Sequence, residues 1–120
     1  MNDGATIPSH FLVMVRAVDG AEPDVKFRPM IVVFDMDNTL TDDFGQRVRP
    51  GIVGLLEDLA ADGFTLALWT QSTRLRARRI LDDHDLTRHF QTFVFREDYD
   101  PNNQNVRKDI RRIDGIFLVD

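Results

Sequence analysis

The 120-residue sequence contains no cysteine. Disulfides, thiolate nucleophiles and cysteine-ligated zinc are therefore excluded. Lysine is nearly absent as well: it occurs only at Lys26 and Lys108, against 13 arginines. Tryptophan and tyrosine occur once each. No apolar run approaches the roughly 18 residues that a membrane-spanning helix needs. The start of the chain carries Asp3 in place of a basic segment, and FLVMV is too short for a signal core. A cytoplasmic protein that does not enter the membrane is expected. Net charge is −5, which speaks against a nonspecific nucleic-acid coat.

What is present suits one folded domain. Hydrophobic residues make up 42% of the chain and charged residues 29%, with nine phenylalanines, a globular balance. Residues 10–18 (HFLVMVRAV) have strand composition within an extension covering 1–29, and a core is expected over 30–120. The run MIVVF before Asp35 reads as a strand covered on both faces. Arg49-Pro50-Gly51 opens a helix in which Ile52, Leu55, Leu56 and Leu59 recur at helical spacing, with Gly63 as its C-terminal cap. FTLALW (64–69) reads as a second strand. Ser72 or Thr73 caps a second helix whose apolar stripe is Leu75, Ala77, Ile80 and Leu81. QTFVF (91–95) is a third strand and 98–105 a loop. Val106, Ile110 and Ile113 predict a short third helix before a fourth strand at 116–119. Strands alternating with helices indicate an α/β fold with a mainly parallel sheet.

In such sheets ligands bind beyond the carboxyl ends of the strands. Asp35 and Asp37 follow the first core strand, Thr70 the second, Arg96, Glu97 and Asp98 the third, and Asp120 the fourth; Lys108 is expected on the third helix. A solvated turn is the plainer reading of an isolated Asp-x-Asp, but here MIVVF precedes it and Thr39-Leu40 follow. Two carboxylates converging past a buried strand suit a hard divalent cation, Mg²⁺ above all. Asp35 is placed to act as a nucleophile toward phosphorus, and Asp37 to protonate the leaving oxygen and then deprotonate water. Thr70 suits a phosphoryl oxygen or a turn. Lys108 suits charge compensation or, as an isolated observation, an exposed helix face.

These residues resemble the haloacid dehalogenase-like (HAD) superfamily, whose four motifs appear in order as Asp35-Met36-Asp37-Asn38-Thr39, Thr70, Lys108 and Asp120. VRPGIVGLLEDL, LWTQS, FRED and KDIRRIDGIFLVD resemble the NLI-interacting-factor-like branch, phosphatases that act on the C-terminal domain of RNA polymerase II. The resemblance implies a Rossmann-like core and a Mg²⁺-dependent phosphatase. In it Asp35, Asp37, Thr70 and Lys108 are catalytic, Thr39 supports the loop, and Asp35, Asp37 and Asp120 serve the metal. Residues 41–49 leave room for a small flap but no cap domain, and for a capless member the resemblance implies a macromolecular phosphate, a phosphoprotein ahead of a nucleic-acid end. Asp120 is the last residue, so a further acidic or amide ligand, a fifth strand and a final helix lie outside the sequence. A C-terminally short core with an exposed sheet flank open to oligomerisation is expected. A noncatalytic interaction module on the same fold and a polynucleotide-end phosphatase stand as alternatives. The arginines of TRLRARRI are expected to form a solvated face paired with Asp82, Asp83 and Asp85, with His84 and His89 at the surface and the phenylalanines in the core.

Overall fold

A computed structural model describes residues 30–120; the strand expected at 10–18 lies outside them. Four parallel strands form one sheet in the order β3-β2-β1-β4. They are β1 (Met30–Phe34), β2 (Phe64–Trp69), β3 (Thr92–Val94) and β4 (Gly115–Val119). Strand β1 is central, pairing with β2 from Met30↔Phe64 to Phe34↔Leu68 and with β4 from Val32↔Phe117 to Phe34↔Val119. Its apolar composition follows from this place, since both of its faces are covered.

Alternation along the strands sorts the core into two layers. Val32, Phe34, Leu66 and Leu68 pack on one face against α1 (Ile52–Ala61) and α2 (Arg74–Asp83), through Leu56 and Leu59 of the first and Ala77, Ile80 and Leu81 of the second. Val33, Ala67, Trp69 and Val94 face the opposite side, against Tyr99, Ile110 and Ile113. Right-handed crossovers require this arrangement. The first two connections run in one direction across the sheet and leave their helices on one face, whereas the return to β4 crosses the other. The reversal beside β1 is the topological switch point at which such sheets open a crevice.

Helix α1 begins after Gly51 (φ +85°) and ends before Gly63 (φ +94°), both in the left-handed region that glycine enters without steric cost. Helix α2 starts at Thr73, whose side chain accepts the Arg76 backbone N–H. Several expectations are corrected here. Leu75 is 74% exposed and Phe44 76% exposed, so neither belongs to the core. Strand β3 is shorter than 91–95, and a single helical turn, α3 (Arg96–Tyr99), follows it.

The third helix predicted from Val106, Ile110 and Ile113 is reduced to a 3₁₀ turn at Ile110–Ile113, and Lys108 lies in irregular backbone before it. The cause is Asp100, nearly fully buried, whose carboxylate accepts the N–H groups of Gln104 and Val106. Asn103 and Asn105 also take positive φ. Amides bound by a side chain cannot join a helical ladder.

Candidate active site

Just past β1 the chain turns sharply around one carbonyl. The Met36 oxygen accepts the N–H groups of Thr39, Leu40 and Thr41 at 3.2, 2.9 and 3.2 Å, and Asn38 takes φ +65°. Met36, Thr39, Leu40 and Thr41 are buried in this turn, so Thr39 shapes the loop from inside it. Asp35 and Asp37 stand on either side of the knot. The Asp35 N–H still donates to Val119 O at 3.0 Å, tying the start of the loop to the end of β4.

Lys108 Nζ lies 2.9 Å from Asp35 Oδ1, and both side chains are only 16% exposed. Burial pushes the Asp35 carboxyl above its usual range, although Lys108 and the Met36 N–H pull it down; the nearby Asp120 charge adds to the rise. The two groups are 73 positions apart in sequence, and pairing of β1 with β4 brings them together.

Thr70 follows β2 and is fully buried. Its N–H donates to Val94 O at 2.9 Å, and its hydroxyl accepts the Ser72 N–H at 3.0 Å. The hydroxyl keeps its own proton for donation, so the turn role leaves it free to donate to a further acceptor. Both Asp37 oxygens are engaged by Arg76, Oδ2 by Nη1 at 3.1 Å and Oδ1 by Nη2 at 3.0 Å. Arg76 carries no motif signature; the only hint in the sequence is its position three residues after the Thr73 cap.

Among the described residues, no three His, Cys, Asp or Glu side chains are grouped to hold a metal ion. Asp35 and Asp120 nevertheless bring two hard oxygen donors near each other, with Asp35 resisting ionisation. Carboxylate oxygens are the donor type that a hard divalent cation takes. The Asp37 carboxylate expected with them turns to Arg76.

Arg74, Arg78 and Arg79 of α2 are exposed, as the solvated-face reading expects, but the partners of the first two differ from the expected Asp82, Asp83 and Asp85. Arg74 pairs with Asp98 at 2.9 Å and lies over the Phe95 ring, and Arg78 lies over Phe93 and Phe95. The histidines differ as well. His84 Nε2 lies 2.8 Å from Gly45 O in the flap, and His89 is buried. Below the site, Tyr99 OH donates to Gln71 Oε1, while Gln71 Nε2 donates to Asp100 and Asn103. This network holds the loop that leads to Lys108.

The flap over residues 41–49 is a small folded turn. Asp42 N–H donates to Arg47 O, Gly45 N–H to Asp42 O and Arg49 N–H to Leu40 O. Gly45 has φ +70°, and a Cβ there would stand 2.4 Å from Ile80 Cδ1, so the turn presses directly on α2. Among the described residues no helix is long and apolar enough to cross a membrane. A family model described as NLI interacting factor-like phosphatase matches residues 30–117. No curated protein matches the chain.

Proposed function

The chain belongs to the NLI interacting factor-like phosphatase family, and we propose that it hydrolyses phosphomonoesters through an aspartyl-phosphate on Asp35. The observation that carries this reading is the 2.9 Å pair of Asp35 and Lys108 at the carboxyl edge of the sheet. A nucleophile must meet a phosphoryl dianion there, and a compact ammonium beside it offsets the repulsion.

An Asp35 carboxylate oxygen attacks phosphorus, and the phosphorus–oxygen bond to the leaving group breaks. Asp37 gives its proton to the departing oxygen. Water then attacks the same phosphorus and loses its proton to Asp37, and the bond to Asp35 breaks, releasing phosphate. Each Asp37 oxygen keeps a lone pair free beyond its Arg76 contact. Thr70 donates its hydroxyl proton to a phosphoryl oxygen, while Lys108 holds another. Mg²⁺, held by Asp35 and Asp120, would supply charge neutralisation at the phosphoryl group.

A macromolecular phosphate, a phosphoprotein before a nucleic-acid end, suits a site that, among the described residues, is bordered by the short 41–49 flap and no cap domain. Hydrolysis of p-nitrophenyl phosphate with Mg²⁺ and its loss in Asp35→Asn test the chemistry. Phosphopeptides compared with 3′-phosphorylated oligonucleotides test the substrate class. Wild-type protein inert toward all three would refute the reading.

A further inference from the structure

Arg76 is absent from the chemistry above, yet its guanidinium makes four hydrogen bonds to three separate segments. Two go to Asp37, at 3.1 and 3.0 Å. Nη1 also donates to Ser72 Oγ at 2.9 Å, in the loop after β2, and Nη2 to the Asp43 carbonyl at 3.3 Å, in the flap. The loop bearing Asp37, the turn bearing Thr70 and the flap thus converge on one planar cation.

The ion pair by itself explains little, because its side chains are 41% and 31% exposed, and such pairs hold weakly in water. The geometry is what separates Arg76 from an ordinary surface arginine. A planar fork can span both oxygens of one carboxylate and still reach further acceptors, which an ammonium cannot do. The base of the fork is itself fixed, since the Arg76 N–H is the one that Thr73 caps. On the flap side, Gly45 packs against Ile80, and the Gly45 carbonyl meets His84. Helix α2 and its C-terminal cap residue therefore grip the flap through Arg76, Ile80 and His84, and of these Arg76 is the one that hydrogen-bonds Asp37 as well.

We infer that Arg76 is a positioning residue that fixes the direction of the Asp37 carboxylate and holds the 41–49 flap against it. This rests on the phosphatase reading for its catalytic consequence, though the clamp itself is a property of the fold. Without the fork, Asp37 samples other rotamers and the flap opens.

Hydrogen exchange and steady-state kinetics on the full chain test it, using Arg76→Gln and Arg76→Lys. The flap amides of Asp42, Gly45 and Arg49 should exchange about tenfold faster in both variants, with β1 and α1 amides unchanged as the internal control. With p-nitrophenyl phosphate and Mg²⁺, kcat should fall roughly tenfold in both, with KM within about twofold. A merely structural arginine would be rescued by lysine and would not separate kcat from KM. Should Arg76→Gln loosen β1 as well, Arg76→Lys, which keeps the charge and the aliphatic stem, decides. Flap exchange at the wild-type rate in both variants overturns the clamp, as does full activity in both. An inactive wild-type protein overturns the phosphatase reading, and flap exchange alone then decides the clamp.

Discussion

Replacing Lys108 with Met should destabilise the metal-free protein in a manner that depends steeply on pH. At 2.9 Å and an effective dielectric constant near 20, the attraction between the two charges is about 6 kcal/mol. Desolvation of both groups cancels much of that, leaving a net coupling of about 2 kcal/mol; deleting one partner costs more, about 3 kcal/mol, because a carboxylate stays buried alone. The pH dependence follows from the direction of the Asp35 shift. Burial raises its folded value above the ordinary 3.8, and Lys108 restrains the rise. A carboxyl raised in this way contributes stability that is full below its unfolded value and is lost as pH rises through its folded value. Removing Lys108 pushes the folded value higher and enlarges the loss. Urea unfolding in EDTA should therefore show a deficit of about 3 kcal/mol at pH 7 that shrinks below about 1 kcal/mol at pH 4. Equal deficits at both pH values would show that Lys108 acts through packing alone, and the paired-charge account of the site would be wrong.

Other perturbations separate the remaining contacts. Gly45→Ala places a methyl 2.4 Å from Ile80 Cδ1 at a φ of +70° and should cost about 1–3 kcal/mol in thermal or urea unfolding; an unaffected midpoint would mean that the flap does not rest on α2. Leu56→Ala, which empties a fully buried position, should cost about 2–5 kcal/mol, whereas Leu75→Ala should stay within about 0.5 kcal/mol. Reversed costs would contradict the assignment of the buried face of α1 and of the exposed place of Leu75 on α2. Burial raises the Asp100 carboxyl, but hydrogen bonds from Gln104, Gln71 and Val106 outweigh it and hold the group below its usual value of 3.8. Its contribution is present above that value and lost as pH falls through the lower folded one. Asp100→Asn should therefore flatten the acid limb of the stability profile, and an acid limb of unchanged slope would count against the anchoring role.

Where apolar periodicity and local cap chemistry agreed, the fold could be read directly. MIVVF, FTLALW and the Ile52–Leu59 stripe stand where the sequence places them because each buries a continuous or one-sided apolar surface. Lys108 was legible by rarity, and Asp35 by its position past a buried strand. Two of the failures share a source, competition from partners distant in sequence. The stripe at Val106, Ile110 and Ile113 satisfies helical spacing, but Asp100 takes the Gln104 and Val106 amides first. Arg74, Arg76 and Arg78 of α2 lie on a largely exposed face, as expected, but not beside Asp82, Asp83 and Asp85. Their partners proved to be Asp37, Asp98 and the rings of Phe93 and Phe95, all from other elements. Arg76 could not be singled out, because its importance arises only when the flap and the Asp37 loop fold beside the helix.

The sheet order β3-β2-β1-β4 has a consequence for the timing of assembly. Of the four described strands β1, with Asp35 at its end, is made first, but its second neighbour β4 is separated from it by two complete βα units. Closing so long an interval is entropically costly and slow relative to the local β1–α1–β2 unit. A growing or refolding chain thus passes through a stage in which Asp35 is already presented but Lys108 and the β4 edge are not yet beside it. On the proposed phosphatase reading Asp35 stays silent through that stage, and acquisition of activity should coincide with docking of β4, the last of the described strands to join the sheet.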